Sequence, residues 1–161
     1  MRALAHDFSG VVHLVTALLA LGFGTLVLAR EKGTRLHRIT GYMYLGSMSA
    51  LNGTALLIYR LFDGWGPFHY AALLSMATLL MGFLPAFFRM RNWIRWHVAG
   101  MYYSVIGLYA AFVSEIVTRI PGLPFGLMTA LGSTIVMMIG VILFNKFQKA
   151  WLQHEVVNRE P

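Results

Sequence analysis

The sequence predicts an all-α protein, a polytopic transmembrane helix bundle with five spans. Three observations carry this reading. Of 161 residues, 58% are apolar and 12% charged, against about 45–50% and about 25% in ordinary soluble domains. Mean hydropathy is +0.64, more apolar surface than a water-soluble fold of this size hides. The apolar residues gather into five runs, Phe8–Ala29, Ile39–Phe62, Phe68–Phe88, Ile94–Thr118 and Leu123–Phe144, each near the roughly 20 residues that a bilayer core of about 30 Å requires. In lipid only helices and closed barrels satisfy the backbone, and these runs are too long for barrel strands and lack in–out alternation. Disorder is excluded by the same composition. The absence of Cys excludes a disulfide scaffold and thiolate-based metal or nucleophile chemistry.

The elements follow in order. The first run, behind Arg2, is longer than a signal-peptide core and lacks a small-x-small cleavage site, so it reads as a retained helix. Short connectors at Arg30–Arg38, Asp63–Pro67, Arg89–Trp93 and Ile120–Gly122 separate the spans. Residues 8–119 form a core four-helix bundle, 123–144 an added helix and 145–161 a cytoplasmic tail, all within one transmembrane domain. Alternating the span ends places ten cations on one side: Arg30, Lys32, Arg35, Arg38, Arg89, Arg91, Arg95, Lys146, Lys149 and Arg159. Arg2, Arg60 and Arg119 fall on the other. The positive-inside bias puts the N-terminus outside and the C-terminus in the cytoplasm, and points to a bacterial inner membrane. A net charge of +7 therefore reads as collars beside anionic headgroups rather than a nucleic-acid surface. The glycosylation pattern Asn52-Gly53-Thr54 lies inside a span and is discounted.

The first four spans read as a duplicated helix pair. His13 and His37 stand 24 residues apart, His69 and His97 28 apart, each pair across a basic loop. Both copies run in the same sense, a parallel repeat with its axis along the membrane normal. The fifth span carries small residues at four-residue spacing, Gly126, Ala130 and Thr134 with Thr129 and Ser133. It reads as a packing or partner-facing helix through which oligomers can form.

Polar groups inside a span are costly and functional by default. The repeat axis pairs His13 with His69 near the outer face and His37 with His97 near the cytoplasmic face. Two imidazoles across a bundle can supply both axial ligands of a haem iron. This gives the leading expectation, an electron-transfer protein holding haem b near each leaflet, with a quinone or other redox partner. Glu115 is the one carboxylate well inside a span, with Arg119 at i+4 as its natural partner. At about 1.5 Å per residue, His13 and Glu115 lie at similar heights, about 24 and 27 Å above the inner helix ends. His13, His69 and Glu115 therefore form a competing outer-face set for zinc or another divalent transition metal, with metal-assisted hydrolysis as its chemistry. A third reading is a non-catalytic transporter or scaffold. Asn52 is expected to hydrogen-bond across the bundle, and Arg60 to snorkel or to pair with Glu115. Tyr42, Tyr44, Tyr102 and Tyr103 read as packing and interface residues.

Several stretches together resemble a known family. They are Gly33-Thr34-Arg35-Leu36-His37-Arg38-Ile39-Thr40-Gly41-Tyr42, Gly66-Pro67-Phe68-His69, Trp96-His97 followed by Met101, and Gly107-Leu108 through Ala110-Ala111 to Glu115 and Arg119. The family comprises small prokaryotic membrane proteins and is called domain of unknown function 2306 (DUF2306). The resemblance spans roughly His13 to Pro121 and implies a compact multi-helix membrane protein. It marks His13, His37, Asn52, Arg60, His69, His97, Glu115 and Arg119 as motif positions. Val98 and Tyr103 stand where that pattern favours an aromatic and a Trp. The paired-His layout is also similar to that of cytochrome b561-type dihaem proteins, an analogy of arrangement.

Overall fold

The computed structural model describes residues 2–59, 64–122 and 124–157, with side chains over 8–59, 64–122 and 124–152. Its helices are α1 (Arg2–Ala29), α2 (Arg35–Ala55), α3 (Pro67–Phe87), α4 (Trp93–Val117) and α5 (Phe125–Val157). Phe8–Ala29 of α1, α3, α4 and Phe125–Leu152 of α5 are long and apolar enough to cross a membrane. Of the five expected spans, the second falls short of that standard. Arg35, His37, Arg38, Thr40, Ser47, Ser49, Asn52 and Thr54 make α2 more polar than the others.

Two helix ends differ from expectation. The second span was drawn to Phe62, but α2 ends at Ala55. Asn52, Gly53 and Thr54 are weak helix formers, and Thr54 turns its hydroxyl onto the carbonyls of Ala50 and Leu51. In contrast, α5 continues 13 residues beyond Phe144 to Val157. Neither Gly nor Pro interrupts Asn145–Val157, and its Lys, Gln, Ala and Leu residues favour helix. Most of the tail expected at 145–161 therefore continues the helix.

Caps set the other boundaries. Lys32 Nζ donates to the carbonyls of Val27, Leu28 and Arg30, at 2.7–2.9 Å. Lys32 thus closes the C-terminus of α1. Gly33 turns the chain at φ 78°, and Thr34 caps α2 by accepting the His37 N–H at 3.1 Å. Arg89 (φ 53°) and Asn92 (φ 60°) take the left-handed conformation in the tight loop before α4.

The chain divides into two compact units, Met1–Leu80 and Met81–Pro161. The division falls inside α3, so these units are not the two expected repeats. In the first unit α1 packs on α2. Ala20, Gly24 and Val27 on α1 are buried, as are Tyr44, Met48 and Leu51 on α2. Each trio has i, i+4, i+7 spacing, one helical stripe.

In the second unit α4 packs on α5, where a Cβ on Gly140 would stand 2.4 Å from Ile106 Cγ2; where α4 crosses the end of α3, a Cβ on Gly100 would stand 2.5 Å from Gly82 Cα. Ser114 Oγ donates to the Thr129 carbonyl at 3.2 Å and lies 3.2 Å from Ser133 Oγ. Tyr102 donates to the Gly140 carbonyl at 2.8 Å. Of the small residues expected to pack, Thr129 and Ser133 do so; Gly126, Ala130 and Thr134 are exposed. Outward apolar side chains such as Phe8, Leu14, Leu74 and Ile142 suit lipid, where exposed hydrocarbon carries no penalty.

Gly100→Ala is expected to destabilise the protein by about 1–3 kcal/mol through overpacking. Gly46→Ala, with nothing within 4 Å of the new Cβ, is expected to be neutral or stabilising by up to about 1 kcal/mol. Unfolding of the two variants in mixed micelles checks the contrast.

Candidate functional site

Three of the four candidate histidines have a ring nitrogen with a defined hydrogen-bond partner. A neutral imidazole carries one N–H and one lone pair, so the partner of one nitrogen decides the role of the other.

His13 sits on α1, half-buried, with Nδ1 3.0 Å from Thr54 Oγ1 on α2. The single Thr54 hydroxyl proton has three acceptors within reach, the Ala50 and Leu51 carbonyls at 3.0 and 2.9 Å and His13 Nδ1 itself. When it goes to either carbonyl, His13 Nδ1 is the donor and the lone pair of His13 falls on Nε2. His97, in the second turn of α4, repeats the pattern. Its Nδ1 is 3.0 Å from the Gly82 carbonyl, which can only accept. The close crossing of Gly82 and Gly100 brings that carbonyl within reach, and Trp93 lies edge-on to the ring at 6.1 Å. His97 keeps its lone pair on Nε2.

His69 has the opposite arrangement. Gly66 and Pro67 open α3, with Pro at the first helical position, where its missing N–H costs nothing. The His69 N–H returns to the Gly66 carbonyl at 3.0 Å, and the Gly66 N–H donates to His69 Nδ1 at 3.1 Å. His69 thus fills the role that Glu or Gln takes in a capping box. With its lone pair spent on Gly66, His69 carries its proton on Nε2. That atom is buried and has no hydrogen-bond partner among the described residues, in a residue 2% exposed. The Tyr59 and Trp65 rings lie at 4.8 and 5.0 Å from the imidazole, inclined 30° and 34° to it. His37 is half-buried in the first turn of α2, with its backbone N–H held by Thr34.

Glu115 was expected well inside a span. It lies in the last turn of α4, with Oε1 2.5 Å from Arg119 Nη2 and both side chains more than half exposed. This is the expected i, i+4 pair. Asn52 is 4% exposed, and its Nδ2 finds no hydrogen-bond partner among the described residues. Arg60 lies outside the described residues. Tyr44 and Tyr102 are buried in their units, whereas Tyr42 is exposed. Among the described residues, no group of three or more His, Asp or Glu side chains stands close enough to hold a metal.

Sequence reasoning missed Thr54, Gly66 and Gly82 as partners of the histidines. In the sequence Thr54 stands out only as part of the Asn52-Gly53-Thr54 pattern. Gly66-Pro67 carried a helix-start signal that would have placed His69 at the third helical position. The Gly82 carbonyl left no mark, because any residue supplies one.

These features define a polytopic helical membrane protein with histidines fixed inside its apolar helices. A family model described as a predicted membrane protein, DUF2306, matches residues 10–150, and the chain belongs to that family. No curated protein and no solved structure matches the chain.

Thr54→Val removes the hydroxyl that meets His13 and is expected to cost about 0.5–1.5 kcal/mol, while Thr54→Ser retains it. Glu115→Gln, at an exposed pair, is expected to cost less than about 0.5 kcal/mol. Reversible unfolding of the variants in mixed micelles measures each.

Proposed function

We propose that the protein is an electron carrier of the bacterial inner membrane, oriented with its N-terminus outside, that binds haem b through histidine imidazoles. One observation carries the proposal: His97 donates Nδ1–H to the Gly82 carbonyl, which puts its lone pair on Nε2, and His13 meets the Thr54 hydroxyl through the same ring nitrogen. A ligating histidine characteristically has its second nitrogen anchored this way. Haem iron supplies one-electron chemistry. The chain orients the two rings, through Thr54 in the first unit and Gly82 in the second, and surrounds them with apolar helix. His37 is the third candidate ligand. His69 is assigned a different role, because its lone pair is already taken by Gly66.

A second reading, a non-catalytic transporter or scaffold, is favoured by the closed Glu115–Arg119 pair, which has the form of a helix-end brace. The zinc-hydrolase reading through His13, His69 and Glu115 has less support. His69 offers Nε2–H rather than a lone pair, and Glu115 is engaged with Arg119.

Protein purified from haem-sufficient cells is expected to show a Soret band that shifts on reduction. His13→Ala and His97→Ala should each lower the haem content per chain. Colourless protein, or haem content unchanged in both variants, would overturn the proposal in favour of the scaffold.

A further inference from the structure

The first unit contains a hydrogen-bond donor that its own packing leaves unused. His69 is only 2% exposed, yet its Nε2–H meets no acceptor among the described residues. A buried donor left unmatched costs about 1–3 kcal/mol. The capping bond from Gly66 prevents the ring from escaping this by changing tautomer: a proton on Nδ1 would oppose the Gly66 N–H at 3.1 Å.

The surroundings narrow what could accept that bond. Tyr59 and Trp65 pack against the imidazole with rings inclined 30° and 34° to it, and an acceptor for the Nε2–H bond comes along the N–H direction, in the imidazole plane. Both covering rings are themselves partly open, at 38% and 56% exposure, and present aromatic surface to a planar molecule. A neutral carbonyl matches a neutral imidazole donor set among aromatic side chains.

We infer that His69, with Tyr59 and Trp65, is the binding site for a quinone headgroup, its carbonyl oxygen accepting the Nε2–H bond while its ring lies against the aromatic pair. The choice of a quinone over another neutral carbonyl rests on the electron-carrier reading above. The donor, its burial and its aromatic cover do not depend on that reading. Lipid ester carbonyls have the same acceptor chemistry but no flat ring to stack.

The test is a titration of the protein in phosphatidylcholine nanodiscs with decylubiquinone, followed by tryptophan emission. Ester carbonyls are in large excess throughout, so they compete at every point. The inference predicts saturable quenching in the unaltered protein. His69→Phe keeps the aromatic stack and removes the donor; it should weaken binding about tenfold. His69→Gln keeps an N–H donor and should stay within about threefold of the unaltered protein. Tyr59→Leu keeps the donor and removes stacking surface, and should also weaken binding. Quenching that rises linearly without saturation in the unaltered protein overturns the inference, whatever the variants do. Saturable quenching equally strong in His69→Phe and Tyr59→Leu overturns it as well. The absorption spectrum of each sample, taken before quinone is added, reports separately on the haem reading.

Discussion

Inside a bilayer every polar group must find its partner within the protein, because lipid tails offer none. That constraint organises this chain. Its interior holds few polar side chains, and the hydrogen bonds they make are specific enough to assign protons. A backbone carbonyl that can only accept and a backbone amide that can only donate each determine one ring nitrogen of a histidine, in His97 and His69. The proton on the other nitrogen of a neutral ring follows. His97 carries its proton on Nδ1 and His69 on Nε2, and His13 joins His97 when Thr54 gives its own proton to a backbone carbonyl.

Packing is subordinate to the same end. The close approach of α3 and α4 at Gly82 and Gly100 does more than fill space, because it places a main-chain oxygen against His97. Between α4 and α5, Gly132 and Gly140 admit Ser114 and Ile106, and Tyr102 ties the same interface through the Gly140 carbonyl. Small residues allow helices to approach where hydrocarbon burial gives no net drive for association. In the first unit α1 and α2 meet along one stripe on each helix, and the His13–Thr54 bond crosses between them.

Much of the helical architecture was legible in the sequence. Composition and run length identified an all-helical membrane protein, and α3 and α4 begin and end within a residue of expectation. The errors have physical causes. Apolarity alone could not find the end of α2, because Leu56, Leu57 and Ile58 continue the run after the helix has been closed by Asn52-Gly53-Thr54. It could not find the end of α5 either, since a helix can continue into polar sequence when nothing breaks it. Small-residue spacing found the Thr129 and Ser133 face of α5 but added the exposed Gly126, Ala130 and Thr134. The helix phase was set by Gly132 and Gly140, which a four-residue rule starting elsewhere skipped. The histidines were visible as candidates, and the Glu115–Arg119 pair was read correctly from its i, i+4 spacing. Their proton assignments were not readable, because those depend on Thr54, Gly66 and Gly82, two of which act through the backbone alone.

The central claim is that the histidines of this chain hold their protons on different nitrogens. Nitrogen-15 solid-state NMR of ring-labelled protein in bilayers reads this directly, with single His→Gln variants assigning each signal. The account predicts Nδ1–H for His13 and His97 and Nε2–H for His69. A common tautomer for all three, or a doubly protonated His69, would contradict it.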